Sequence, residues 1–180
     1  MAEASATKVG SAAPPLELPD TEGNVHTLPM PGEAPATVVF WTCNHCPYAL
    51  AWHERLLDTA LDYAPRGVRF LAVNSNDAER YPRDSLEAMR DRVRKEDWPL
   101  PYLHDESQGA ARDWAAQATP HVYVLDSDLQ VRYEGAPDAD HMDPSRKAAW
   151  LREALDAVLA QEEPSRPVTD PVGCSIKWKP

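Results

Sequence analysis

The stretch Thr37-Val38-Val39-Phe40-Trp41-Thr42-Cys43-Asn44-His45-Cys46-Pro47-Tyr48 decides the fold. Up to Trp41 it is β-branched or aromatic with no alternating polar position, the pattern of a strand buried on both faces of a parallel sheet. Beyond Pro47, Leu50, Leu57, Leu61 and Ala64, thickened by Leu56 and Ala60, recur at helical spacing until Pro65-Arg66-Gly67 stops them. Val68 to Val73 is a second buried-strand run, which completes a βαβ unit with a right-handed crossover. Cys43 and Cys46 therefore stand where a strand hands over to a helix. Unpaired N–H groups and the positive end of the helix dipole favour a thiolate there. Cysteines so placed in a CxxC pair titrate anywhere from about 3.5 to 7.5, not near 8.5. The position predicts Cys43 as the exposed, low-pKa nucleophile and Cys46 as its buried partner. The same spacing also serves half of a zinc site, which would need two more ligands, such as Cys174 and one of the six histidines.

Working outward, Leu16 to Leu28 reads as a β-hairpin turning at Glu22-Gly23-Asn24, and residues 1–14, small and polar, read as a mobile tail. Leu86, Met89 and Val93 mark a second helix, Tyr102-Leu103-His104 a short strand, and Ala111, Trp114, Ala115 and Ala118 a short helix running up to Thr119-Pro120. Two strands, 121–125 and 130–133, flank a turn at Asp126-Ser127-Asp128. Leu151, Ala154, Leu155, Val158 and Leu159 form the stripe of a closing helix, with Asp143 as cap and Pro144 at its first position. Together these predict an α/β fold, a three-layer sandwich around a mixed central β-sheet, spanning residues 15–161 with an N-terminal hairpin extension. Residues 162–180 form a C-terminal tail carrying Cys174. Its closing Ile176-Lys177-Trp178-Lys179 is apolar and cationic against an acidic body, so it is expected to dock, chiefly through Trp178. Cys174 is either a small packed residue or an alternative resolving thiol for Cys43.

Composition bounds the function. A chain of 180 residues suits one domain, and a formal charge of -11 argues against nucleic acid or anionic lipid as partner. No run of 18 apolar residues marks a membrane span, and the opening residues lack the pattern of a secretion signal, so a cytoplasmic location is expected. Three cysteines do not make a disulfide-stapled scaffold. No cofactor or metal is expected.

On these residues the chain resembles the thioredoxin-fold thiol-disulfide oxidoreductases, within the redoxin superfamily of AhpC/TSA and TlpA/ResA-like proteins. The likeness runs from Leu16 to Leu159. The hairpin is similar to the redoxin N-terminal extension, Val38 to Trp41 to the strand before the active cysteines, Cys43-Asn44-His45-Cys46 to the CxxC, and Thr119-Pro120 to the cis-proline loop. Cys46-Pro47-Tyr48 and the closing Gly173-Cys174-Ser175-Ile176-Lys177-Trp178-Lys179 resemble a cytosolic bacterial branch of that superfamily. The resemblance implies that Cys43 attacks a disulfide and Cys46 resolves the mixed disulfide, that His45 tunes the thiolate as in DsbA, and that Trp41, Thr119 and Pro120 contact an extended substrate segment. It implies protein thiols or disulfides as partners, a thioredoxin system or a small thiol as reductant, and an antioxidant or redox-homeostasis role. Two departures stand out. The Trp41-Thr42-Cys43 turn is shorter than thioredoxin's, and thioredoxin's buried proton-accepting carboxylate falls at Val39, which accepts no proton. A peroxiredoxin-like alternative, also implied by the superfamily, would use Cys46 as the peroxide-reducing sulfur, with Cys43 where those enzymes carry Thr.

Overall fold

The β-branched run folds as the middle of a five-stranded sheet in a computed structural model that describes residues 7–29 and 33–180. Strand β3 (Ala36–Trp41) is buried at every position and lies parallel to β4 (Arg69–Asn74) on one side and antiparallel to β7 (His121–Asp126) on the other. β5 (Tyr102–His104) and β8 (Val131–Gly135) form the edges, giving the order β5-β4-β3-β7-β8. Helices α1 (Pro47–Tyr63) and α4 (Ala149–Leu159) pack around one core cluster, built on Trp52, Leu56, Phe40 and Leu155. The other face of the sheet is covered by Trp114, α3 (Gly109–Asp113), and the hairpin of β1 (Leu16–Pro19) and β2 (Val25–Leu28). α2 (Leu86–Glu96) follows β4 and buries Met89 against the first cluster. This is the expected α/β sandwich with a mixed sheet.

The hairpin turns at Gly23, whose φ of 86° a side chain would resist, and Asp20 accepts from the Glu22 and Asn24 amides at 2.9 and 3.0 Å to hold the turn. Several expectations shift. The buried face of α1 is Ala49, Trp52, Leu56, Ala60 and Tyr63, whereas Leu50 and Leu61 are 44% and 55% exposed. The leucines suggested a stripe that the sheet does not meet; the larger Trp52 and Tyr63, on the same face as Leu56, set the rotation. The segment after α3 leaves the helix before Ala118, and Ala118–Thr119 is a two-residue strand, β6. Asp143 caps a 3-10 turn at Pro144–Arg146 rather than α4, which begins after Ala148 at φ 55°.

The tails are corrected most. Residues 1–6 of the expected mobile N-terminal tail lie outside the described residues, but residues 7–14 are docked. The Gly10 amide donates to Val131 O at 2.7 Å, the Ala13 amide to Leu129 O at 2.9 Å, and Ala12 bridges Gln130. The β7–β8 hairpin offers an open edge there, and unpaired edge groups recruit extended chain. The C-terminal tail is docked as expected. Val168 bridges Glu134, and β9 (Cys174–Ser175) pairs antiparallel with β6. Its apolar anchor is Ile176, at 3% exposure, and not Trp178, which is 39% exposed with the Arg112 guanidinium 5.1 Å from its ring. Among the described residues no helix is long and apolar enough to cross a membrane.

Candidate active site

β3 delivers Thr42 and Cys43 to the end of the sheet, and Cys46 is the N-cap of α1, with Pro47 at the first helical position. Proline has no N–H to leave unpaired there and its φ is preset for the helix, so the chain turns inward at that point. The Cys46 amide donates to Cys43 Sγ at 3.3 Å. From across the sheet comes the loop before β7, where the Thr119–Pro120 bond is cis. Thr119 touches both thiols: its hydroxyl lies 3.5 Å from Cys43 Sγ, and its carbonyl oxygen lies 3.4 Å from Cys46 Sγ. The structure thus brings Cys43, Cys46, Thr119 and Pro120 together.

Cys43 was expected to be exposed. Both cysteines of the pair are instead 0% exposed, because Thr119 and β9 lie over them. The two sulfurs share a hydrogen bond that drives Cys46 down to about 4 and Cys43 above the ordinary thiol range. Burial and the Asp84 carboxylate oppose a charge on Cys43 while the Thr119 hydroxyl and the His45 amide favour one; burial opposes a charge on Cys46 while the Cys174 thiol and amide and the Ala49 amide favour one. Cys46 also holds the cap position, at the positive end of the α1 dipole.

Asp84 had no signal in the sequence. It is 0% exposed, in the 3-10 turn Pro82–Asp84, far along the chain from the cysteines. Its Oδ1 accepts from the Asn44 amide at 2.7 Å and Asn74 Nδ2 at 3.0 Å; its Oδ2 accepts from Asn76 Nδ2 at 3.0 Å and lies 2.6 Å from His45 Nδ1. His45 stacks on Tyr81 with ring centroids 5.4 Å apart. One ligand-competent atom each of Cys43, His45 and Asp84 falls within 4.8 Å of the others, so these three could hold a metal ion. The carboxylate is nevertheless already satisfied by protein donors, and this trio is not the Cys174-and-histidine set the zinc alternative required. The Asp84–His45 pair lies beside Cys43, where Val39 offers no polar group.

Trp41 is not placed to bind substrate. It is fully buried, its indole N–H donates to Ser75 Oγ at 2.9 Å, and its ring packs on Trp114 and Tyr123 at 5.5 and 5.7 Å, since the strand carrying it is covered on both faces. Arg92 reaches the cysteine loop but donates to the Cys43 carbonyl at 3.1 Å and to Asn44 Oδ1 at 2.9 Å, not to a sulfur. It holds the loop's shape.

The fold that carries this site recurs in known proteins. No curated protein matches the chain in sequence. In structure it is similar to an uncharacterized conserved protein from Geobacillus kaustophilus, 39% identical with a TM-score of 0.90, over 98% of this chain and 95% of that one. The fold alone is shared with the peroxidoxin BcpB of Mycobacterium tuberculosis, at 17% identity and TM-score 0.64 over 86% and 97% of the two chains. It is likewise shared with the thioredoxin domain of a thiol-disulfide oxidoreductase from Bacteroides vulgatus, at 15% identity and TM-score 0.61 over 75% and 92%. Residues 9–134 match the AhpC/TSA family, which takes in the hairpin, both cysteines and the cis-proline loop, and the chain belongs to that family.

Proposed function

We propose that the protein is a thiol-disulfide oxidoreductase of the cytoplasm, cycling between a dithiol and a Cys43–Cys46 disulfide and exchanging it with protein thiols in redox homeostasis. The observation that carries this reading is the shared hydrogen bond of the two sulfurs at the head of α1, which lowers the pKa of Cys46 and raises that of Cys43. In this reading the attacking and resolving roles implied by the resemblance are exchanged, because the hydrogen bond from Cys43 lowers the Cys46 pKa. The Cys46 thiolate attacks a substrate disulfide and expels one substrate sulfur as thiolate. Cys43 then gives up its proton toward the His45–Asp84 pair and attacks Cys46 Sγ, which closes the protein disulfide and releases the second substrate sulfur. A thioredoxin system or a small thiol restores the dithiol. The expected result is turnover of a scrambled model protein in a glutathione buffer, reduced to background by Cys46→Ser; unchanged turnover in that variant rejects the assignment.

A peroxidase reading has one observation in its favour, the low Cys46 pKa. Against it, Arg92 is turned to backbone and amide oxygens and gives a peroxide no cationic donor at the thiolate. Stopped-flow oxidation of the reduced protein by hydrogen peroxide separates the two. Slow, non-catalytic oxidation is expected. Rapid stoichiometric oxidation that survives in Cys43→Ser and leaves a sulfenic acid on Cys46 establishes the peroxidase instead.

A further inference from the structure

The tail brings a third sulfur onto the pair. Cys174 stands opposite Thr119 in the β6–β9 ladder, and Thr119 is the residue that touches both other thiols. Cys174 packs against the cluster of Cys43, Cys46 and Ala49. This approach depends on a glycine. A Cβ on Gly173 would lie 2.1 Å from the Thr119 carbonyl oxygen and 2.7 Å from its carbon, so no other residue fits without moving the strand. The strand is also pinned beyond the cysteine. The Lys177 amide donates to Asn76 Oδ1 at 2.9 Å, the Lys177 carbonyl accepts from the Asp77 amide at 2.8 Å and Gln108 Nε2 at 2.9 Å, and the Lys179 amide donates to Gln108 Oε1 at 2.9 Å. Ile176 is buried beside these bonds. Register and depth are thereby fixed, and of the three sulfurs only the half-buried Cys174 retains access to solvent.

We propose that Cys174 is a third redox-active thiol that exchanges with Cys46 and carries the disulfide from the buried pair to the surface; this rests on the thiol-disulfide reading above. In the oxidised protein the Cys174 thiolate attacks Cys46 Sγ. The Cys46–Cys174 bond forms, the Cys43–Cys46 bond breaks, and Cys43 leaves as a thiolate that takes up the proton Cys174 has lost, with no net change of oxidation state. An incoming partner thiolate then attacks Cys174 Sγ and expels Cys46. Cys46 is suited to that departure, because a low-pKa thiol leaves fastest. In the reduced protein, burial and the neighbouring Cys46 sulfur hold Cys174 protonated, up to about 11. Once Cys46 is part of a disulfide its charge is gone and that part of the restraint is lifted.

The test is disulfide mapping of full-length variants oxidised by glutathione disulfide. In Cys43→Ser, one of Cys174 and Cys46 attacks glutathione disulfide and expels one glutathione; the other then displaces the second, so the expected product is a Cys46–Cys174 linked peptide. Adding Gly173→Val should abolish that peptide and leave the glutathione adduct on Cys46, because the strand no longer fits beside Thr119. Cys46→Ser should give no Cys43–Cys174 link. A stable glutathione adduct on Cys46 with Cys174 free in Cys43→Ser, while wild type still closes Cys43–Cys46, overturns this proposal alone. A dominant Cys43–Cys174 link in Cys46→Ser also overturns it. Failure of wild type to close Cys43–Cys46 sinks the parent reading.

Discussion

Ultraviolet thiolate absorbance of the reduced protein is expected to rise in a first step with its midpoint near 4, as pH rises through the Cys46 pKa. The thiolate is the form above the pKa, so Cys46 is expected to be charged throughout the neutral range while Cys43 and Cys174 keep their protons. The first cause of the low value is the hydrogen bond from Cys43, so Cys43→Ala should move the step upward by at least about 1 unit, toward the ordinary thiol value near 8.5. Cys46→Ser should remove it. If the acid step survives in Cys46→Ser and vanishes in Cys43→Ser, the charge lies on Cys43 and the order expected from the sequence is restored. Asp84→Asn supplies an independent check. Removing a carboxylate that opposes ionisation of Cys43 should lower the pKa of that thiol without abolishing the acid step.

A large loss of stability is expected from Asp138→Ala. Arg55 in α1 and Asp138 after β8 form a buried ion pair at 2.9 Å, with side-chain exposures of 6% and 1%. Asp138 also accepts from the Trp52 indole at 2.8 Å and the Ala148 amide at 2.9 Å, and Arg55 donates to the carbonyls of Asp140 and His141 at 2.9 and 2.6 Å. Removing the carboxylate strands a guanidinium and two N–H groups in the interior. Breaking one side of a buried pair costs about 3–5 kcal/mol, far more than an intact pair contributes over apolar replacements. At roughly 2–4 °C per kcal/mol for a chain of this size, the melting temperature should fall by about 6–20 °C. Calorimetry checks this, and a loss under about 1 kcal/mol contradicts the account. The acid step of the thiol titration should remain, since the pair lies away from the sulfurs.

Much of this protein is legible in its sequence because the signals are local. The run from Thr37 to Trp41 specifies a strand covered on both faces, the hairpin turn needs Gly23, and Pro47 after Cys46 starts a helix at the thiols. Strand, pair, helix and cis-proline loop follow one another in an order that already defines the α/β sandwich and the chemistry of a thiol pair. Tertiary structure alone brings in the groups that bear on the charge. Which sulfur holds the proton depends on Asp84 beside Cys43 and Cys174 beside Cys46, and both arrive from distant parts of the chain. A carboxylate at a 3-10 turn and a cysteine in a tail look ordinary in one dimension, because electrostatic interaction depends on separation in space and on burial, neither of which sequence spacing records. The same holds for the face of α1. Periodicity states that a helix is amphipathic, but the sheet it meets, and the buried Arg55–Asp138 pair that ties it down, fix which side turns inward.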